Sequence, residues 1–288
     1  MIELLETHSV IFLLALGIIG AMIGSFLNVV IYRLPRMLQQ EWETECRSFL
    51  TLPVEKCQPS KKYNLFVPRS HCLHCNQQIN VIDNIPILSY IFLGGKCRHC
   101  KHTISARYPL IELSALGLSL LVGLQFGLTW QAIFALIFVW SLLALIVIDI
   151  DHQLLPDTIT LPLLWLGLLI NLNNIFIPLP DAILGAVTGY LSLWSFTKLY
   201  YLLTGKHGMG HGDFKLLAAL GAWLGWQMLP LIVIFSSLVG AIVGISLVIF
   251  THRERDKPIP FGPYLAIAGM IALGWGSQIN SLYLRILN

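Results

Sequence analysis

Two clusters of acids set against apolar sequence carry the most chemistry in this chain. Asp149-Ile-Asp151-His-Gln-Leu-Leu-Pro-Asp157 closes one apolar stretch, and Gly208-Met-Gly-His-Gly-Asp213-Phe-Lys215 opens another. A carboxylate costs about 2.5–3.5 kcal/mol to insert at the centre of a membrane helix, so ionisable residues there default to a functional reading. Two carboxylates held close together do not both ionise cheaply, and such a pair holds one proton near working pH. It then contains a base and an acid at once. The ionised member takes a proton from a water attacking a peptide carbonyl, while the protonated member polarises that carbonyl and supports protonation of the leaving amine. The result is aspartic proteolysis without a covalent intermediate. The competing reading is that these acids cap helices or pair with Lys206 and Lys215.

The acids of the first cluster need not share one job. Asp151 lies two residues beyond Asp149, about 200° round a continuing helix, so the two do not share a face. Asp149 continues directly from the apolar run, which makes Asp149 and Asp213 the expected catalytic residues. Asp157 follows Pro156 and precedes Thr158-Ile-Thr-Leu, the position and residue type of a helix N-cap. His152 reads as an interfacial hydrogen-bonding residue rather than a third catalytic group. The glycines before Asp213 leave the backbone open to a second chain, and they lack the Gly-Lys-Ser/Thr of a phosphate loop. There is no Gly-x-Ser-x-Gly elbow and no His-Glu-x-x-His zinc-protease motif.

A second constellation is an internal echo. Cys72-Leu-His-Cys75-Asn-Gln-Gln-Ile79 and Cys97-Arg-His-Cys100-Lys-His-Thr-Ile104 share Cys-x-His-Cys followed by Ile four residues later. Two such hairpins, 21 residues apart, present Cys72, Cys75, Cys97 and Cys100 as tetrahedral ligands for one structural zinc. A polar domain this small has too little core to fold readily without a staple. His74 and His99 read as surface residues of the turns, and Cys46 and Cys57 as ordinary cysteines without a partner at ligand spacing. Gly94-Gly95 is read as a knuckle turn in preference to a cofactor-approach turn.

The elements that must position these groups are membrane helices. The 288 residues are 56% hydrophobic and 11% charged, with mean hydropathy +0.74, far from a soluble globular composition. Apolar runs predict about eight transmembrane helices, at 10–32, 109–126, 131–148, 161–177, 183–203, 214–226, 229–250 and 264–279. The expected fold is therefore an all-α polytopic membrane protein with a small cytoplasmic zinc-knuckle domain between helices 1 and 2. Its expected parts are 1–32, a first transmembrane helix; 33–108, the tetracysteine domain; and 109–288, a seven-helix membrane domain. Glu3 and Glu6 precede the first run without any Lys or Arg, unlike a cleavable signal.

Charge placement sets the expected orientation. Eleven basic residues lie between runs one and two, Lys198, Lys206 and Lys215 lie around the loop between five and six, and Arg253, Arg255 and Lys257 lie between seven and eight. With eight spans all of these share one face and only Arg285 is left on the other, as the positive-inside rule expects. The sixth span is short, and making it re-entrant would put Arg253, Arg255 and Lys257 outside. Asp149 and Asp213 then both fall at the cytoplasmic edge. The net charge of +3 reports topology and gives no reason to expect nucleic acid.

The motifs together resemble the type IV prepilin peptidases, bifunctional bacterial inner-membrane enzymes. The resemblance runs through Gly24-Ser-Phe-Leu-Asn28-Val-Val-Ile-Tyr-Arg33-Leu-Pro35, the tetracysteine region, Arg107-Tyr-Pro-Leu-Ile-Glu112, both acidic clusters and Pro260-Phe-Gly-Pro-Tyr264. It implies that Asp149 and Asp213 are the catalytic aspartates, the second within Gly210-His-Gly-Asp213. It implies that prepilins and pilin-like secretion subunits are the substrates, cut on the cytoplasmic side after a leader ending in Gly. It also implies N-methylation of the new terminus by S-adenosylmethionine, an activity associated with the cysteine-rich loop. No Gly-rich fingerprint locates the S-adenosylmethionine site. Asn28, Arg33, Arg107 and Glu112 either bind substrate or make interfacial hydrogen bonds and ion pairs, and oligomeric state is not legible.

Overall fold

A computed structural model describes residues 2–50, 63–206, 208–251 and 260–287. Cys57, Arg253, Arg255, Lys257, three of the eleven basic residues counted above (Lys56, Lys61 and Lys62) and the side chains of Glu3, Glu6 and Arg285 lie outside the described residues. The described chain is helical, with strand-like pairing confined to isolated bridges at His71–Gln78 and Lys96–Thr103. It divides into two compact units, Met1–Leu128 and Thr129–Asn288.

The first unit is framed by α1 (Ile2–Phe49) and α3 (Arg107–Phe126), which pack against each other, with short α2 (Leu88–Phe92) in the cysteine region between them. The hydropathy partition put residue 109 onward with the later helices; packing on α1 instead places α3 in the first compact unit. Helix α1 also continues well past Tyr32. Pro35 removes one backbone donor, but good helix formers follow, and Glu43 pairs with Arg47 one turn on at 2.7 Å. Polar sequence here extends a helix rather than starting a loop.

The second unit comprises α4 (Trp130–His152), α5 (Asp157–Asn171), α6 (Leu179–Thr204), α7 (His211–Leu224), α8 (Leu229–Thr251) and α9 (Gly262–Leu287). Helix α4 begins where the Thr129 hydroxyl accepts from the Ala132 N–H, and it ends at Gln153 in the left-handed conformation, whose N–H donates to the Asp149 carbonyl. Helix α7 is the core, packed by α5, α6 and α9 and buried at nearly every position from Asp213 to Leu224. At 14 residues it is about 21 Å long, short of a hydrocarbon core of about 30 Å.

Two devices hold α7. The backbones of α6 and α7 touch, since a methyl on Gly185 would collide with the Gly221 carbonyl and one on Gly189 would lie 2.7 Å from the Leu217 carbonyl. Gly185-Ala-Val-Thr-Gly189 is thus a small-xxx-small face. On the α5 side, buried Trp223 donates to the Leu163 carbonyl at 2.8 Å and Asn171 to the Ala222 carbonyl at 3.0 Å.

Each of the eight apolar runs overlaps a helix. Among the described residues four segments, Val10–Phe49, Arg107–Phe126, Trp130–His152 and Trp226–Ser246, are long and apolar enough to cross a membrane, and Asp157–Asn171 and Gly262–Gly276 are shorter apolar helices. The count of four falls below the expected eight; the four helices outside it are α5 and α7, which are short, α9, whose described apolar part is Gly262–Gly276, and the 26-residue α6.

Candidate active site and metal centre

Asp149 and Asp213 come together in the second unit. Asp149 lies in the last turn of α4 and Asp213 in the first turn of α7; both are buried, and their carboxylates are close enough to act on each other electrostatically. Each accepts a backbone N–H from a helix start. Gly210, the N-cap of α7, donates to Asp213, which reproduces half of a capping box. Gly262, the first residue of α9, donates to Asp149. Helix N-termini favour negative charge, so both carboxylates sit where a shared negative charge is supported.

Side chains close the site tightly. A methyl on Gly262 would lie 2.6 Å from Asp149 Oδ2 and 3.1 Å from Leu155, and a methyl on Gly212 would lie 2.8 Å from the same leucine. Leu155 therefore packs beside the start of α7, which bears Asp213, and the start of α9, whose Gly262 N–H Asp149 accepts. Of the competing partners, Lys215 holds Asp157 at 2.6 Å, and among the described residues no basic side chain pairs with Asp149 or Asp213. Asp157 itself departs from expectation. Pro156 occupies the N-cap and Asp157 stands in the first turn of α5, where the helix dipole and Lys215 hold it. Asp151 is exposed, as its offset of about 200° round the helix from Asp149 requires, and His152 is exposed as well.

The four cysteines converge in the first unit, all their sulfurs within 4.8 Å of one another. The two halves repeat residue by residue. The Cys72 N–H donates to the Gln77 carbonyl and the Asn76 N–H to the Cys72 carbonyl; the Cys97 N–H donates to the His102 carbonyl and the Lys101 N–H to the Cys97 carbonyl. Asn76 and Lys101 both take positive φ at the equivalent turn position. Cys72 Sγ and Cys100 Sγ are 3.8 Å apart, and a tetrahedron of ~2.3 Å metal–sulfur bonds has edges of about 3.8 Å. The donor set fits a metal ion.

The thiols are already unlike one another. Backbone N–H groups of Cys75 and His74 pull the Cys72 thiol down to about 6. The His102 N–H also favours a thiolate at Cys100, but burial and the surrounding sulfurs of Cys97, Cys75 and Cys72 outweigh it and push that thiol up to about 11. Four thiolates in one cluster need a cation. His74 stacks on His102 with ring centroids 4.4 Å apart, and Arg98 bridges to Asp83 at 2.9 Å, tying the second knuckle to the linking segment. Gly94 and Gly95 take positive φ, and their N–H groups donate to the Ile91 and Tyr90 carbonyls, closing the turn after α2.

The residues at the entrance to the cysteine region separate in role. Arg33 is buried and donates to the carbonyls of Asn64 at 2.9 Å and Pro68 at 2.6 Å, while Asn28 donates to the Tyr108 carbonyl at 3.2 Å. These contacts pin chain to α1. Arg107 is exposed. Glu112 is buried and accepts the Ile87 N–H at 2.7 Å and a hydrogen bond from Ser25. It also lines a cavity of about 550 Å³ within this unit.

Sequence reasoning had assigned no role to Gly262, which both donates to Asp149 and excludes a side chain there. Its signal was present as Gly-Pro opening an apolar helix. The α6 small-residue face was equally legible as Gly-x-x-x-Gly.

An all-helical chain with membrane-length apolar helices, a buried carboxylate pair and a tetrathiol cluster defines a class of membrane aspartic peptidase with an added metal-type domain. Residues 18–126 match the bacterial peptidase A24 N-terminal domain and residues 136–245 the type IV leader peptidase family. The chain is 53% identical over 284 residues to a prepilin leader peptidase/N-methyltransferase of Stutzerimonas stutzeri, covering 99% of this chain and 98% of the relative. It is 55% identical over 276 residues to the protein of that name from Aeromonas salmonicida (96% and 93% covered). A Legionella pneumophila protein of the same name is 47% identical over 271 residues, with 94% of each covered. No solved structure matches the chain. The chain belongs to the type IV leader peptidase family.

Proposed function

We propose that this protein is a bifunctional enzyme of the bacterial inner membrane. It cleaves the leader peptide from type IV prepilins and pilin-like type II secretion subunits, then methylates the new N-terminal amine. The observation that carries the peptidase half is the buried Asp149–Asp213 pair, mutually interacting and without a basic partner among the described residues. One carboxylate takes the proton of an attacking water; the other, protonated, donates to the scissile carbonyl and returns its proton toward the leaving amine. The Gly210 and Gly262 N–H groups hold both carboxylates in place and support the one negative charge that the pair carries through the reaction.

The names of the relatives support the second activity. S-adenosylmethionine, when bound, supplies an activated methyl group. The cavity beside Glu112, at about 550 Å³, is of a size suited to small molecules, and the residues of this unit fit such a donor. Zinc is the metal that Cys72, Cys75, Cys97 and Cys100 would hold, replacing missing core with coordination in a domain that we assign to 33–108 and to methylation. Eight spans, α1 and α3 to α9, with the cysteine domain and both aspartates at the cytoplasmic side, follow from the distribution of Lys and Arg.

Replacing Asp149 or Asp213 by Asn preserves size and removes the ionisable group. Mass detection of leader cleavage on a prepilin in detergent or proteoliposomes should show none with either variant, and methyl transfer to an already cleaved pilin should persist. Full cleavage by either variant would overturn the dyad.

A further inference from the structure

We propose that the cavity of the first unit is the S-adenosylmethionine site, with the Glu112 carboxylate set against the sulfonium. This rests on the methyltransferase reading above and assigns it a place. The volume of about 550 Å³ falls in the range of roughly 300–1,000 Å³ occupied by small-molecule sites.

The lining suits a flat heteroaromatic group joined to a compact cation. Four tyrosines, Tyr32, Tyr63, Tyr90 and Tyr108, face it together with Glu112. Aromatic rings stack on a purine and attract a cation over their faces. Two of these rings already have one: Arg36 lies 3.8 Å over Tyr32 and Arg33 lies 5.8 Å from the Tyr63 ring. Tyr90 and Tyr108 carry none among the described residues; Tyr90 packs against Gly95 and both rings line the cavity.

Glu112 supplies the second observation. It is 8% exposed, and its described partners are the Ile87 N–H and Ser25, both neutral. No basic side chain among the described residues pairs with it. A buried carboxylate without a cation is costly, and Arg33, the buried cation nearest in sequence to Ser25, is committed to the backbone carbonyls of Asn64, Leu65 and Pro68. A ligand bearing fixed positive charge completes this wall. S-adenosylmethionine carries that charge on sulfur, and its demethylated product, S-adenosylhomocysteine, does not.

That charge difference makes the proposal testable without turnover. Equilibrium binding of S-adenosylmethionine and S-adenosylhomocysteine is measured on the full-length, metal-loaded protein in nanodiscs, without pilin, for wild type, Glu112→Gln and Ser89→Phe. Glu112→Gln keeps the shape and an acceptor for Ile87 but removes the charge, and should weaken S-adenosylmethionine roughly tenfold or more while S-adenosylhomocysteine changes much less. Ser89→Phe puts a ring into the cavity wall and should weaken both ligands alike. Leader cleavage and bound metal, read on the same preparations, report that each variant is folded. Ultraviolet cross-linking of the methyl donor should label peptides from 25–33 or 63–112. Undiminished binding by both variants, no saturable binding by wild type, or label confined to residues beyond 128 overturns the site. Equal loss of both ligands in Glu112→Gln overturns the sulfonium pairing. Wild type that methylates a prepilin while its variants bind normally refutes the cavity alone; wild type that binds yet yields no methylated product refutes the methyltransferase reading.

Discussion

The backbone N–H of Gly262 donates to the Asp149 carboxylate, and a methyl on that glycine would lie 2.6 Å from Asp149 Oδ2. The start of α9 thus fits the end of α4 with no room for a side chain. Gly262→Ala should displace the carboxylate, and misplacement by about 1 Å costs on the order of 10²-fold in rate. Leader cleavage kinetics check this; a rate within twofold of wild type would show that the contact is dispensable.

The ion pair between Lys215 and Asp157 gives the opposite expectation. Both partners are partly exposed, at 29% and 53%, and such pairs contribute about 0–1 kcal/mol. Lys215→Met or Asp157→Asn should leave cleavage within a few-fold of wild type and lower the melting temperature slightly. Abolition of cleavage by Asp157→Asn would move that acid into the catalytic set.

At the α6–α7 contact, Gly185→Leu forces a side chain into the Gly221 backbone. Overpacking of this kind costs about 1–3 kcal/mol, and here it also displaces the helix that carries Asp213. Expected are a lower thermal unfolding midpoint and reduced cleavage, the first read by fluorescence-detected unfolding in detergent. An unchanged midpoint would show that α6 yields without cost.

The tetrathiol cluster should bind about one zinc per chain, measured by elemental analysis after purification without added metal. Cys72→Ser should lower that content and damage methylation more than cleavage, because the cluster and Asp149–Asp213 lie in separate compact units. Equal survival of both activities would refute this division.

The parts of the site that were legible in sequence share a local cause. Asp149 and Asp151 separate because a helix turns about 100° per residue, and the structure buries the first and exposes the second. The paired Cys-x-His-Cys hairpins specify their own turns, so the same backbone bonds recur 25 residues apart, at Cys72 and Cys97. Asp157 was less legible: type and position suggested a cap, whereas its ion-pair partner, Lys215, is 58 residues away. The first helix outran its expected end at Tyr32 because hydropathy locates apolar sequence, and polar sequence from 36 to 49 can be equally helical.

Sequence by itself determined the acids, the four thiols, the apolar helices and the family, because each is written in residue type and short-range spacing. Tertiary structure alone decided which groups meet: Asp149 with the N–H of Gly262, Lys215 with Asp157 rather than with the paired acids, and Glu112 with Ile87 and Ser25 at the wall of a cavity. These contacts join residues from 25 to 113 positions apart. Their partners are selected by packing of helix on helix, in which backbone approach at Gly185, Gly221 and Gly262 sets the distances and a local pattern carries no record of the partner.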